Sequence, residues 1–236
     1  MATPGKVGVV FVSHSARIAD GLVDLARQMA PTASLVAAGG TDDGRIGTSF
    51  DLVSAGISEA DAGEGVAVLC DLGSAILTAE TALDFLGDEE RARVRIVDAP
   101  LVEGGVAAAV AAESGDDLDA VVAAAESARG DAEVAVVDVS APSSAEADAA
   151  ASAYSRVVTL VNADGLHARP AAELVKLAGT FSQRVTVNGT DAKSLLSIMS
   201  LGLTKGATVE ISSEDPTARD AVDAIAALAE SGFGET

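Results

Sequence analysis

Short apolar runs, separated by segments of helical length, constrain the fold of this chain more than any other feature. Residues 7–12 and 66–70 are almost entirely apolar, and residues 34–37 and 94–97 form shorter runs. Between and after these runs, apolar residues recur at helical spacing. Helices are predicted at residues 16–29, from Thr48 or Ser49 to residue 59, and at 74–86, 101–112 and 118–128. This alternation predicts an α/β fold with a mostly parallel sheet and helices on both faces.

The segment at residues 141–155 reads APSSAEADAAASAYS and has no apolar periodicity. We interpret it as a linker, although its alanines could also extend a helix. It separates a first domain at residues 1–140, whose last strand is predicted at residues 134–139, from a second domain at residues 156–236.

The second domain combines strand and helix patterns within roughly 80 residues. Strands are predicted at residues 156–162, 184–187 and 207–211, and helices at residues 168–178, 194–201 and 216–229. The dipeptide Asn188-Gly189 is typical of a hairpin turn. The resulting order, β-α-β-β-α-β-α, predicts a small α+β open-faced sandwich.

Composition excludes several classes of partner and chemistry. The formal net charge of −21 argues against binding to nucleic acid or to anionic membranes, which need basic residues. The single cysteine, Cys70, cannot form an internal disulfide, and we expect it to be a buried apolar residue in a reducing cytoplasm. No signal peptide or membrane-length apolar stretch is visible, so we expect a cytoplasmic protein. Nucleotide-binding loops and zinc-ligand clusters are missing from the sequence, and we expect neither a cofactor nor a metal.

Both histidines of the chain lie where a predicted strand gives way to a helix. His14 follows the first strand, and His167 follows the first strand of the second domain. A neutral imidazole nitrogen is a nucleophile near pH 7, and the N–H groups at a helix start favour an anionic phosphoryl group. Two such positions indicate phosphoryl transfer from one histidine to the other.

The second domain resembles HPr, the histidine phosphocarrier family of the phosphoenolpyruvate-dependent phosphotransferase system. The motif Gly-Leu-His-Ala-Arg-Pro-Ala at residues 165–171, the run at residues 193–202 and the ending at residues 231–235 carry the resemblance, which spans residues 153–236. It implies that His167 is phosphorylated. Arg169 is then expected to contact the phosphoryl group.

The run at residues 193–202 contains two further kinds of candidate residue. Ser194 occupies the position of a serine that is phosphorylated in some HPr proteins, but an ordinary helix N-cap is the interpretation we favour. Leu195, Leu196 and Met199 are expected on one helical face near His167. In the family this face docks enzyme I and enzyme IIA; the alternative is that these residues only pack the core.

The first domain resembles that of the DhaM family, the phosphotransferase subunits of phosphoenolpyruvate-dependent dihydroxyacetone kinases. This domain is related to the mannose-type enzyme IIA. The resemblance spans residues 6–128 and is carried by Val-Ser-His-Ser at residues 12–15 with Arg17, by Ile-Gly-Thr at residues 46–48, and by Asp-Leu-Gly-Ser-Ala at residues 71–75.

Parallel strands place ligand sites at their carboxyl ends, so His14 and Asp71 are expected in one crevice. A carboxylate at one ring nitrogen would fix the tautomer and leave the other nitrogen as the phosphoryl acceptor. Asp71 could instead cap the following helix, and Arg17 could either steer a phosphoryl group or be merely solvated. The resemblance implies supporting roles for Ser15 and for a phosphate-cradling loop shaped by Gly39, Gly40, Gly47 and Thr48.

The resemblance implies an enzyme, a phosphotransferase that relays phosphate from phosphoenolpyruvate and enzyme I through His167 to His14. The acceptor would be ADP on a dihydroxyacetone kinase that has ADP-binding and substrate-binding subunits. A homodimer is expected. DhaM proteins can carry a third, enzyme-I-like domain; this chain ends without one, so we expect a separate enzyme I. Two alternatives stay open, namely a sugar-specific enzyme IIA–HPr fusion that feeds a permease and a phosphorylation-dependent regulatory binding module.

Overall fold

The computed structural model describes residues 3–129, 154–163 and 165–234. These residues form two compact units, one ending at Arg129 and one beginning at residue 154. The strand predicted at residues 134–139 and nearly all of the linker predicted at residues 141–155 lie outside the described residues. Within the described ranges, no helix is both long enough and apolar enough to cross a membrane.

The first unit is an α/β fold, as predicted. Its strands are β1 (Gly8–Ser13), β2 (Ser34–Gly39), β3 (Val66–Cys70) and β4 (Val94–Val97). Its helices are α1 (Ala16–Arg27), α2 (Phe50–Ala60), α3 (Gly73–Asp84), α4 (Asp88–Ala92), α5 (Leu101–Ser114) and α6 (Leu118–Glu126). The strands pair in parallel in the order β2-β1-β3-β4, so β1 is enclosed between β2 and β3.

Helices cover both faces of this sheet because successive strand residues point to opposite sides. Val9 and Phe11 of β1 pack in a core cluster with residues of α1, α5 and α6. Val10 and Val12 pack in a second cluster with residues of α2 and α3. All four side chains are fully buried, so β1 is the centre of the unit. The carboxyl end of β1 is thereby held in a fixed position.

The second unit is the predicted α+β sandwich. Its strands are β5 (Tyr154–Thr159), β6 (Thr186–Val187), β7 (Thr190–Asp191) and β8 (Thr208–Ser213), and its helices are α7 (Ala168–Gly179), α8 (Leu195–Ser200) and α9 (Arg219–Glu230). The sheet is antiparallel, in the order β5-β8-β6-β7. Val209 and Ile211 of β8 are buried, whereas Glu210 between them is exposed, so one face is covered and the other is open.

Two local features of the second unit bear on the sequence predictions. Asn188 and Gly189 both have positive φ angles, 49° and 80°, and form the predicted hairpin turn between β6 and β7. The last helix begins at Arg219, three residues later than predicted. The carboxylate of Asp215 accepts hydrogen bonds from the N–H and hydroxyl of Thr217, which holds this segment in a turn.

Candidate functional site

His14 follows β1 at the point where the chain order in the sheet reverses. The chain leaves β1 through α1 to form β2 on one side, and β3 lies on the other side. Val12 pairs with Cys70, and the N–H of Asp71 donates to the carbonyl of Val12 at 3.1 Å. His14 and Asp71 therefore lie at adjacent carboxyl ends of parallel strands, where α/β sheets form their ligand sites.

The carboxylate of Asp71 holds His14 through both of its oxygens. Oδ1 is 2.8 Å from the ring Nδ1 of His14 and accepts the N–H of Leu72 at 2.7 Å. Oδ2 accepts the backbone N–H of His14 and the hydroxyl of Ser13, each at 2.8 Å. Burial raises the pKa of Asp71, but these hydrogen bonds outweigh it, so the pKa lies below its usual value. The carboxyl group is therefore ionised at neutral pH.

An ionised carboxylate can only accept hydrogen bonds, so it assigns the proton of a neutral His14 ring to Nδ1. The lone pair is then on Nε2, which lies 2.7 Å from the hydroxyl of Ser74. The His14 side chain remains 20% exposed, so a partner can reach it. Leu72 occupies the N-cap position of α3, so Asp71 orients the histidine instead of capping that helix.

The loop at residues 40–48 lies against the backbone that carries His14. The N–H of Gly40 donates to the carbonyl of Ser13 at 3.0 Å, and the N–H of Gly47 donates to the carbonyl of His14 at 2.9 Å. These two N–H groups are already bonded within the protein. The two glycines therefore shape the loop through backbone bonds to the segment that carries His14. That the loop cradles a phosphoryl group stays a prediction.

Gly39 and Thr48 fix the two ends of the same loop. A Cβ atom on Gly39 would lie 2.7 Å from the carbonyl oxygen of Ser15, so the close approach of β2 to the start of α1 requires glycine. The Thr48 hydroxyl lies 2.8 Å from the hydroxyl of Thr78 on α3. The loop is thus attached to α1 on one side and to α3 on the other.

Ser15 and Arg17 lie at the start of α1. Ser15 is the N-cap residue by position, but its side chain accepts no cap hydrogen bond, and its N–H donates to the hydroxyl of Ser13 at 3.1 Å. Arg17 is exposed, and no hydrogen bond or ion pair joins it to another described residue. Its role in steering a phosphoryl group stays a prediction.

Sequence reasoning missed three hydroxyl groups of this site. Ser13 bonds the carboxylate of Asp71, Ser74 contacts the ring of His14, and Thr78 contacts the loop. Ser13 and Ser74 lie inside the motifs that carry the resemblance to the DhaM family. Thr78 belongs to no motif, and only the one-turn spacing from Ser74 could have indicated it.

His167 is the N-cap residue of α7, and it is exposed. Its N–H donates to the carbonyl of Gly165 at 3.0 Å, and the side-chain amide of the buried Asn162 donates to the same carbonyl at 2.6 Å. A Cβ atom on Gly165 would overlap the carbonyl oxygen of Leu203 and lie 2.5 Å from Cα of Thr204. This tight turn places His167 at the start of the helix.

Arg169 and Ser194 have the positions expected from the sequence. Arg169 is exposed in the first turn of α7, two residues after His167. Ser194 is the N-cap residue of α8 by position, but its hydroxyl lies 2.7 Å from that of Ser197 and accepts no backbone N–H. Ser194 therefore has the position of an N-cap residue, as expected, but its side chain makes no capping hydrogen bond. Phosphorylation of Ser194 stays a prediction.

The three residues predicted to form a docking face differ in burial. Leu195 is only 4% exposed and packs in the core with Ile198, three residues further along α8. Leu196 and Met199 are half-buried. The prediction of a docking role was wrong for Leu195, because the short helix turns this side chain inward. It stays open for Leu196 and Met199.

Comparisons with known proteins agree with this division of the chain. The family described as PTS system fructose IIA component matches residues 8–122, and the family described as PTS HPr component phosphorylation site matches residues 154–231. A Listeria innocua protein described as PEP-dependent dihydroxyacetone kinase 1, phosphoryl donor subunit DhaM, is 40% identical over 124 residues. The matched region covers 52% of this chain and 94% of that protein. The chain belongs to the DhaM family.

Other relatives extend this DhaM assignment to the second unit. DhaM of Escherichia coli K12, also described as a phosphoryl donor subunit of PEP-dependent dihydroxyacetone kinase, is 38% identical over 244 residues. That match covers 98% of this chain but 51% of the relative, so the chain spans about half the length of this curated DhaM protein. Phosphocarrier protein HPr of Vibrio cholerae is 46% identical over 79 residues, which is 32% of this chain and 93% of that protein. Both predicted resemblances are confirmed.

Proposed function

We propose that this chain relays phosphoryl groups from phosphoenolpyruvate to a dihydroxyacetone kinase through two phosphohistidines. His167 receives the group from an enzyme I and passes it to His14. His14 then delivers it to ADP on the kinase subunit that phosphorylates dihydroxyacetone. The observation that carries the proposal is the 2.8 Å contact between Nδ1 of His14 and Asp71, because it leaves Nε2 as a nucleophile.

In this relay, one N–P bond breaks at His167 while another forms at Nε2 of His14. The Nδ1 proton stays between the ring and Asp71. The negative charge of Asp71 stabilises the positive charge that develops on the ring. The hydroxyl of Ser74 has to rotate away from Nε2 before this bond can form. Helices α1 and α3 begin next to the histidine, and their first N–H groups favour a phosphoryl dianion.

The surroundings of His167 support docking of protein partners. The histidine is exposed at a helix start, and Arg169 supplies a nearby positive charge. Leu196 and Met199 on α8 are half-buried, and α8 packs against α7, which follows His167. The partners we propose are enzyme I and the ADP-binding and substrate-binding subunits of the kinase, in the cytoplasm. A homodimer is proposed on the family resemblance alone.

Labelling from phosphoenolpyruvate tests the relay. With enzyme I and ³²P-labelled phosphoenolpyruvate, the wild-type protein should carry label on both histidines. His167→Ala should abolish all labelling, whereas His14→Ala should leave label on His167 alone. Adding the kinase subunits, ADP and dihydroxyacetone should remove label from the wild type but not from His14→Ala. Labelling of His14 in the His167→Ala variant would contradict the order of transfer, and retention of label by the wild type would contradict the acceptor.

A further inference from the structure

A pair of threonine hydroxyls joins the loop at residues 40–48 to α3. The Thr48 hydroxyl is 2.8 Å from that of Thr78, and the Thr78 hydroxyl donates to the carbonyl of Ser74 at 3.1 Å. Because a hydroxyl has one proton, Thr48 must donate to Thr78 and not the reverse. Thr78 therefore bonds the loop and the backbone of α3 at the same time.

Thr78 lies one helical turn after Ser74, the residue of α3 whose hydroxyl contacts the reacting nitrogen. Ser74 and Thr78 are four residues apart and share one face of α3. The hydroxyl of Ser74 reaches Nε2 of His14, and the N–H of Gly47 in the loop donates to the carbonyl of His14. The loop and α3 thus both contact His14, and the threonine pair connects them to each other.

The first turn of α3 packs on the core through Ala75 and Ile76, and its other side faces solvent. Its N-cap residue, Leu72, is exposed and supplies no side-chain cap, and Leu77 is 64% exposed. Ala75 and Ala79, whose side chains are small, are fully buried, and Ile76 is partly buried. The Thr48–Thr78 hydroxyl pair therefore adds a polar contact to the loop beside the small apolar contacts that α3 makes with the core.

We propose that Thr78 is a positioning residue for phosphoryl transfer at Nε2 of His14. It acts through the carbonyl of Ser74 and the hydroxyl of Thr48, and it touches no reacting atom. The proposal rests on the proposed function, in which Nε2 receives the phosphoryl group. A hydroxyl at position 78 keeps the backbone of Ser74 and the loop at fixed positions around the ring, while the Ser74 hydroxyl can still rotate.

Thr81 provides a matched control on the same helix. Its hydroxyl donates to the carbonyl of Leu77 at 2.7 Å, the same type of bond that Thr78 makes to Ser74, but it makes no hydrogen bond to the described residues of the loop. Thr78→Val and Thr81→Val each remove one such bond. Only Thr78→Val also removes the contact to Thr48.

Rapid-quench measurement of label transfer to His14 in the full chain tests the proposal. Thr78→Val should slow transfer about tenfold, since small displacements at a reacting centre are costly. Thr78→Ser should stay within about twofold of wild type, and Thr81→Val should be unchanged. The ¹⁵N shift of Nε2 of His14, recorded before phosphorylation, should change in Thr78→Val only. Equal rates for the two valine variants, or a serine variant as slow as valine, would overturn the proposal. Failure of wild-type His14 to accept any label would instead defeat the proposed function, and this proposal with it.

Discussion

Replacing Asp71 by asparagine keeps the shape of the side chain but removes the charge that orients the His14 ring. The carboxylate accepts four hydrogen bonds, from the N–H and Nδ1–H groups of His14, the hydroxyl of Ser13 and the N–H of Leu72. The side-chain amide of asparagine has a single oxygen acceptor. In either orientation, its NH₂ group therefore faces the donors that one carboxylate oxygen of Asp71 accepts. If it faces the backbone of His14, that N–H loses its acceptor. If it faces the ring, the proton moves to Nε2 and the nucleophile is lost.

The size of both effects follows from these contacts. An unpaired, largely buried N–H costs about 1–3 kcal/mol of stability. A hydrogen bond to a charged group contributes about 1.5–3 kcal/mol, and its loss as positive charge develops on the ring slows transfer about 10- to 150-fold. We therefore expect Asp71→Asn to lower both the unfolding free energy and the rate of phosphoryl transfer to His14.

Rapid-quench labelling of His14 and unfolding followed by circular dichroism measure the two effects. Asp84→Asn is the control, because Asp84 is 69% exposed and, among the described residues, forms its ion pair with Arg91 alone. The pKa of Asp71 is lower in the folded protein than in the unfolded chain. The ionised carboxylate therefore stabilises the fold at pH values above the unfolded pKa, and this stabilisation is lost as the pH falls through the folded pKa. The stability difference between wild type and Asp71→Asn should be constant from about pH 8 to 5 and shrink below about pH 4. Transfer within about threefold of wild type would refute the tautomer argument.

Three further predictions concern other positions. Burial raises the pKa of the Cys70 thiol to about 12, so it should react with a disulfide reagent at pH 8 only after unfolding; rapid reaction of the folded protein would contradict its burial. Gly165→Ala should destabilise the second unit by more than about 2 kcal/mol and reduce labelling of His167, whereas Gly179→Ala, with open space around it, should change calorimetric stability by less than about 1 kcal/mol. Leu195→Ala should cost about 2–5 kcal/mol in denaturant unfolding, while Leu196→Ala should mainly slow labelling by enzyme I; equal stability losses would place both residues in the core.

Much of the fold could be predicted from the sequence because its central strands are continuous apolar runs. The bounds of β3 (Val66–Cys70) and β4 (Val94–Val97) match the prediction, since such short runs between helices fit only a buried strand. Boundaries set by side-chain hydrogen bonds were missed. The Asp215 turn delays α9, and α4 (Asp88–Ala92) was not predicted, because five residues give too little periodicity.

The site was only partly predictable. His14 and Asp71 stood out because each directly follows an apolar strand, and parallel pairing brings such positions together. Ser74 and Thr78 did not stand out, because a hydroxyl within a helix looks the same in sequence whether or not it faces a site. Leu195 was misassigned for a related reason: α8 has six residues, fewer than two turns, and cannot reveal its buried face by pattern.

The account depends on which ring nitrogen of His14 carries the phosphoryl group. Protein labelled with ¹⁵N in its histidines, phosphorylated with enzyme I and phosphoenolpyruvate, can be studied by NMR that detects coupling between ³¹P and the ring nitrogens. Because Asp71 holds Nδ1, we predict coupling to Nε2 of His14. Coupling to Nδ1 of His14, or phosphorus that never leaves His167, would contradict the account.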